Sequence, residues 1–246
     1  MNNPTPASAV TVDGDVSVAE ASSLEAAATE GRKRQRAALG PFQPHLLERI
    51  GGVGLILGPV LHAAGMLTSP AQTEPGTAGY IASLAADPGL SILSANLLHY
   101  GWVAFAIGAV AGRGLLRGPR GRIWLPLAAV MLLIGSIQMS GLLLSDWFLI
   151  SAGNTLTMDQ AVLMDTTAKE WTVGIWQMSG MIGGLGGLMA YSLGLARAGV
   201  VSWWIAPFGG LAWFVPMFLS GPFAPVLVLL FFAPFIIAGV RLLSAR

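Results

Sequence analysis

Six polar side chains interrupt otherwise long apolar runs of this chain: His62, Asn96, His99, Tyr100, Gln138 and Gln177. Their types allow hydrogen bonding to a small ligand, and the two imidazoles allow coordination of a metal. His62 and His99 have the donor chemistry for the two axial positions of a haem b, the one cofactor this pattern raises as an alternative to none. A hydrolytic metal site would need a carboxylate beside the same histidines, with Asp146 or Glu170 to supply it. No HExxH or comparable spacing supports that arrangement. The sequence assigns no catalytic residue.

Absences narrow the chemistry further. With 0 cysteines there are no disulfides, thiolate metal sites or cysteine nucleophiles. No G-x-x-x-x-G-K-[ST] phosphate loop occurs. No Asp, Glu, Lys or Arg lies deep in any apolar run, so mid-membrane ion coupling of the usual kind has no group to work with.

The elements that must hold these side chains are set by composition. Only 10% of the 246 residues are charged and 54% are hydrophobic, with a mean hydropathy of +0.68. A soluble domain carries about 25% charged residues. Most of this surface therefore faces lipid. Apolar runs at 51–68, 91–112, 123–145, 171–196, 203–220 and 223–243 each approach the ~20 residues needed to cross a hydrocarbon core of ~30 Å. The expected fold is an all-α, polytopic transmembrane bundle of about six spans, occupying 45–246. Ser220-Gly221-Pro222 makes a tight turn between the last two runs, and Pro207, Pro216, Pro225 and Pro234 should kink or shorten them.

Residues 1–44 read as a disordered tail, polar and Ala/Ser/Thr-rich, with the basic cluster Arg32, Lys33, Arg34 and Arg36. In the six-span reading, Arg49, the loop arginines Arg113, Arg117, Arg120 and Arg122, then Arg197, Arg241 and Arg246 fall on the same side as that cluster, and only Lys169 falls opposite. The positive side is the cytoplasm, so both ends are expected inside a plasma membrane, of bacterial type. The tail cluster and the loop arginines are expected to meet anionic lipid headgroups, and a nucleic-acid partner is not expected. Trp124, Trp147, Trp171, Trp203 and Trp204 sit at span ends, where amphipathic rings are favoured.

The two outer loops, 69–90 and 146–170, each contain a short amphipathic helical pattern. One carries Tyr80, Ile81 and Leu84 ahead of Asp87-Pro88-Gly89, and the other has Thr157 and Gln160 at capping-box spacing. Small-xxx-small pairs at Gly54/Gly58, Gly108/Gly112, Gly180/Gly184 and Gly183/Gly187 point to close helix packing. The fourth span, the most glycine-rich, is also the face through which a second copy or a membrane partner would associate.

At 1.5 Å per residue, His62, His99, Gln138 and Gln177 lie about 8–11 Å below the outer ends of their helices. Neighbouring glycines at helical spacing turn His62, Gln138 and Gln177 towards the bundle interior. The expectation is an outward-facing polar pocket, with Trp102 and Trp176 as walls, that binds or transports a small neutral or lipophilic molecule. The alternatives are a bis-histidine haem protein, an accessory subunit of a larger membrane complex, and a polar layer that serves only to join helices.

Overall fold

A computed structural model describes Glu30 and residues 44–116, 119–215, 219 and 223–244; the side chains of 44, 45 and 171–173 are excepted. The predicted tail with Arg32, Lys33, Arg34 and Arg36, together with Arg117, Pro216, the 220–222 turn and Arg246, lies outside the described residues. The helices belong to one unit, Pro44–Arg246.

The described residues form helices and turns, with no strand among them. Four long helices carry the bundle: α1 (Pro44–Thr68), α3 (Pro88–Ala111), α4 (Trp124–Leu142) and α7 (Trp171–Arg197). Between α1 and α3 lies α2 (Gly76–Ala86), and between α4 and α7 lie α5 (Leu144–Thr155) and α6 (Met158–Ala168). The chain ends in α8 (Ala206–Leu211), α9 (Phe223–Phe231) and α10 (Ala233–Ser244).

Small residues decide which helices meet. Where α1 crosses α3, Gly54 lies against the backbone of Ala104 and Gly108, and Gly65 lies against Leu98. Where α4 crosses α7, Gly135 abuts the Gly183–Gly184 peptide and Gly187 abuts Leu132. Lipid tails are as apolar as the helices, so this close backbone approach supplies the packing gain that burial alone would not. Around these crossings a buried core of Leu55, Trp102, Phe105, Leu132, Leu188, Tyr191, Phe232 and Phe235 fills the bundle.

Among the described residues, four helices are long and apolar enough to cross a membrane: 46–68, 88–115, 124–155 (α4 with α5) and 174–197. The pair α9–α10, bent by 54° at its break, raises the number to five if it counts as one span. The predicted fifth run, 203–220, is not one long helix among the described residues. Its described residues hold α8, a 3-10 turn at Ala212–Phe214 and a helical Val215. Pro207 sits in the first turn of α8, while Gly209 packs on Ser192 and Phe235, and Gly210 on Met189. Both glycines lie within α8 and bring it close to α7 and α10.

A second difference lies in the 146–170 loop, where the sequence predicts one short helix and two occur. Ser145 and Asp146 end the apolar run, yet Leu149, Ile150 and Ala152 beyond them bury against α2 and so support α5. The capping box of Thr157 and Gln160 opens α6 as its spacing predicts. Asp87 ends α2 and also starts α3, accepting from the Leu90 amide at 3.0 Å, with Pro88 in the first turn. Helix α3 therefore begins at Pro88, three residues before the predicted run.

The arginine-bearing segments gather at one end. Gly52, near the start of α1, abuts Gly239 of α10, and Gly121 contacts Ala198 at the end of α7. Arg241 of α10 donates to the Gly199 carbonyl at 3.4 Å. The segment after α7 thus leaves this end, places Trp213 and Phe232 beside His62, and returns.

Candidate functional site

At the opposite end, α2, α5 and α6 form a cap with its own small core of Ile81, Leu84, Leu149, Ile150, Ala152 and Ala161. It is fastened to the bundle by Ser91, whose hydroxyl donates to the Leu84 carbonyl at 2.8 Å. Between the cap and the ends of α4 and α7 opens a cleft of about 570 Å³. Met139, Leu142, Leu144, Phe148 and Trp176 give it apolar walls, and Tyr80, Asp146, Asp165, Lys169 and Gln177 supply its polar groups.

The polar groups are already committed to one another. Tyr80 donates its hydroxyl proton to Asp146 at 2.8 Å, joining α2 to α5. Lys169 donates to Asp165 at 2.7 Å, one helical turn apart, and Asp165 is buried. Burial first, then the Asp146 and Asp165 carboxylates, push the Tyr80 ionisation well above the ordinary tyrosine value. The folded state keeps this proton where the unfolded chain would lose it. Tyr80 therefore contributes stability that is present below pH about 10 and lost as pH rises beyond it. Thermal midpoints recorded from about pH 9 to 11 should fall, and Tyr80→Phe should remove part of that fall. An equal fall in the variant would mean Tyr80 does not contribute.

The predicted pocket residues are distributed among several places. Gln177 lines the cleft. Gln138 instead accepts from Ser179 at 2.5 Å and bridges α4 to α7 next to Gly180. Asn96 donates to the Ile92 carbonyl of its own helix at 2.9 Å. Tyr100 is 58% exposed. His99 donates from Nδ1 to the Ser140 carbonyl at 3.0 Å and has Tyr100 and Trp147 as ring neighbours.

His62 is fully buried. Nδ1 donates to the Gly58 carbonyl at 2.8 Å, since a carbonyl can only accept. Trp102, Phe105, Trp213 and Phe232 surround its ring at centroid distances of 5.0–5.8 Å, and Gly101 closes against it. These four rings enclose His62, whereas the ring neighbours of His99 are Tyr100 and Trp147. Among the described residues no group of three or more His, Asp or Glu side chains is placed to hold a metal ion.

Besides Gln177 of α7, the polar residues of the cleft lie on or beside the short helices, in segments that the sequence presents as outer loops. Asp165, Lys169 and Gln160 were visible as polar residues of an amphipathic pattern. What could have singled out Asp165 is its i,i+4 spacing to Lys169. No protein-family model, curated protein or solved structure matches the chain.

Proposed function

We propose that this is a multi-pass plasma-membrane protein with its arginine-bearing end in the cytoplasm, which binds a small lipophilic molecule in the cleft beneath its outer cap. The observation that carries the reading is the division of the cleft into largely apolar walls on α4, α5 and α7 and a polar rim from Tyr80 of α2, Asp146 of α5, Asp165 of α6 and Lys169 just after it, joined by Gln177 of α7. That division matches a ligand with an apolar body and one polar head.

The rim also favours a type of head. The Tyr80 proton is spent on Asp146, and Lys169 is engaged by Asp165, which leaves spare acceptor capacity on both carboxylates and on the Gln177 carbonyl. A head that donates hydrogen bonds, a hydroxyl or an amine, suits them better than a carboxylate. Gln138 and His99 serve the helix joints in this reading and do not touch ligand.

Binding of octanol, octylamine and octanoate at sub-micellar concentration, followed by thermal unfolding of the purified protein, tests this. A ligand at 100 times its Kd stabilises by about 2.7 kcal/mol. Octanol or octylamine should raise the midpoint, octanoate should not, and Asp146→Asn together with Gln177→Leu should abolish the rise. Equal shifts for all three probes, or shifts unchanged in the double variant, would place binding elsewhere.

A further inference from the structure

A second groove lies at the arginine-bearing end, on the outer face of the α4–α7 pair. Trp124, Leu127 and Met131 of α4 face Ala190, Leu193 and Arg197 of α7 across about 440 Å³, with Trp203 at its edge. The helices run antiparallel, with Gly194 against Leu125 and Gly187 against Leu132, so the end of α7 meets the start of α4. The seven-residue separation on each helix makes the groove about 10 Å long. Its walls are apolar from Met131 up to the level of the tryptophans, and its mouth carries a guanidinium. Trp124 and Trp203 are 62% and 56% exposed, as rings at a headgroup boundary are.

The mouth is more basic than one arginine. Arg120 and Arg122 flank Gly121, which turns with φ +77° and contacts Ala198, the residue after Arg197. A side chain at Gly121 would meet both a strained φ and the Ala198 backbone, so the turn that gathers these cations depends on that glycine. Among the described residues no carboxylate pairs with Arg120, Arg122 or Arg197. One guanidinium at the mouth of an apolar groove, with two more on the adjoining turn, complements one occupant: a chain-bearing phosphate.

We infer that this groove is a site for an anionic phospholipid of the adjoining leaflet, with its acyl chain between α4 and α7 and its phosphate held by Arg197, Arg120 and Arg122. Guanidinium groups bind phosphate oxygens in bidentate fashion, which gives the headgroup a fixed position instead of a diffuse attraction. The site is separate from the cleft under the cap and does not depend on what binds there.

The test uses full-length protein, stripped of lipid in detergent and titrated with phosphatidylglycerol or phosphatidylcholine while bound lipid is counted by native mass spectrometry. Phosphatidylglycerol should be retained in preference. Arg197→Gln should weaken its binding about fivefold, and a further Arg122→Gln by about the same factor. Ala190→Phe, which fills the groove and leaves the arginines intact, should weaken a long-chain phosphatidylglycerol but not a short-chain one. Equal retention of both lipids, or no loss in Arg197→Gln, overturns the site. Displacement of the lipid by millimolar inorganic phosphate would reduce it to a phosphate site, and lipid-free dimers would show the face to be a contact between copies.

Discussion

Gly135→Leu should destabilise the bundle more than loss of any one buried side chain. A side chain at this position would be built into the Gly183–Gly184 peptide of α7, with backbone atoms as its nearest neighbours. Backbone cannot step aside as a flexible side chain can. Overpacking typically costs about 1–3 kcal/mol where side chains absorb it, so the loss at Gly135 should be about 3 kcal/mol or more. The contrast is Gly186→Ala on the same α4–α7 joint, where the nearest atom is the terminal Cε of Met131 at 2.7 Å. That methyl can swing away, and the change should cost well under about 1 kcal/mol. Thermal unfolding of the two variants in one detergent measures the difference. Similar midpoints would mean that the α4–α7 crossing is not the close backbone contact described.

His62→Ala is expected to come second, at about 2–5 kcal/mol. The substitution removes a ring packed by four aromatic neighbours in a fully buried position, and the stacked Trp102–Trp213 pair beside it would lose its edge-on partner. It also strips the Gly58 carbonyl of its imidazole donor, although that carbonyl belongs to helix α1 and Pro59 follows it. His62→Phe separates the two effects. It restores the ring volume without the hydrogen bond and should recover most of the loss. Octanol or octylamine should stabilise His62→Phe as much as wild type, because His62 lies outside the cleft. A loss of ligand response in that variant, with stability restored, would bring His62 into the binding site.

These two positions show how far the sequence could be read. The glycine spacing on 180–187 and the long apolar runs pointed to tight helix crossings, and the α4–α7 joint is built that way. Membrane helices need small residues wherever backbones meet, so that signal is local and repeats along the chain. The count of crossings was harder. In 203–220 the hydrophobicity is that of a span, yet its described residues hold a short helix that tightens into a 3-10 turn, with Gly209 and Gly210 packed against α7 and α10. Hydropathy does not register such contacts.

For the candidate site the limit was different. Gln177 stands out in the sequence because it interrupts an apolar helix, and it lines the cleft. Tyr80 and Asp146 are 66 positions apart and meet only because α2 and α5 pack on each other. Grouping His62, His99, Gln138 and Gln177 at one depth uses height alone, and height does not fix rotation about the helix axis. The hydrogen bonds of His62, His99 and Gln138 to Gly58, Ser140 and Ser179 show these three in separate local roles.

The cap keeps a hydrophobic cluster of its own, six buried residues apart from the main core. Two cores in one chain allow two opening equilibria, and the smaller one should have the lower free energy. The short helices of the cap can part from one another while the bundle beneath stays folded, at the cost of the Tyr80–Asp146 bond between α2 and α5 and the few apolar contacts around Ile81 and Leu149. Admission to the cleft would then be governed by a local fluctuation of short helices, and the long membrane-crossing helices would not have to move at all.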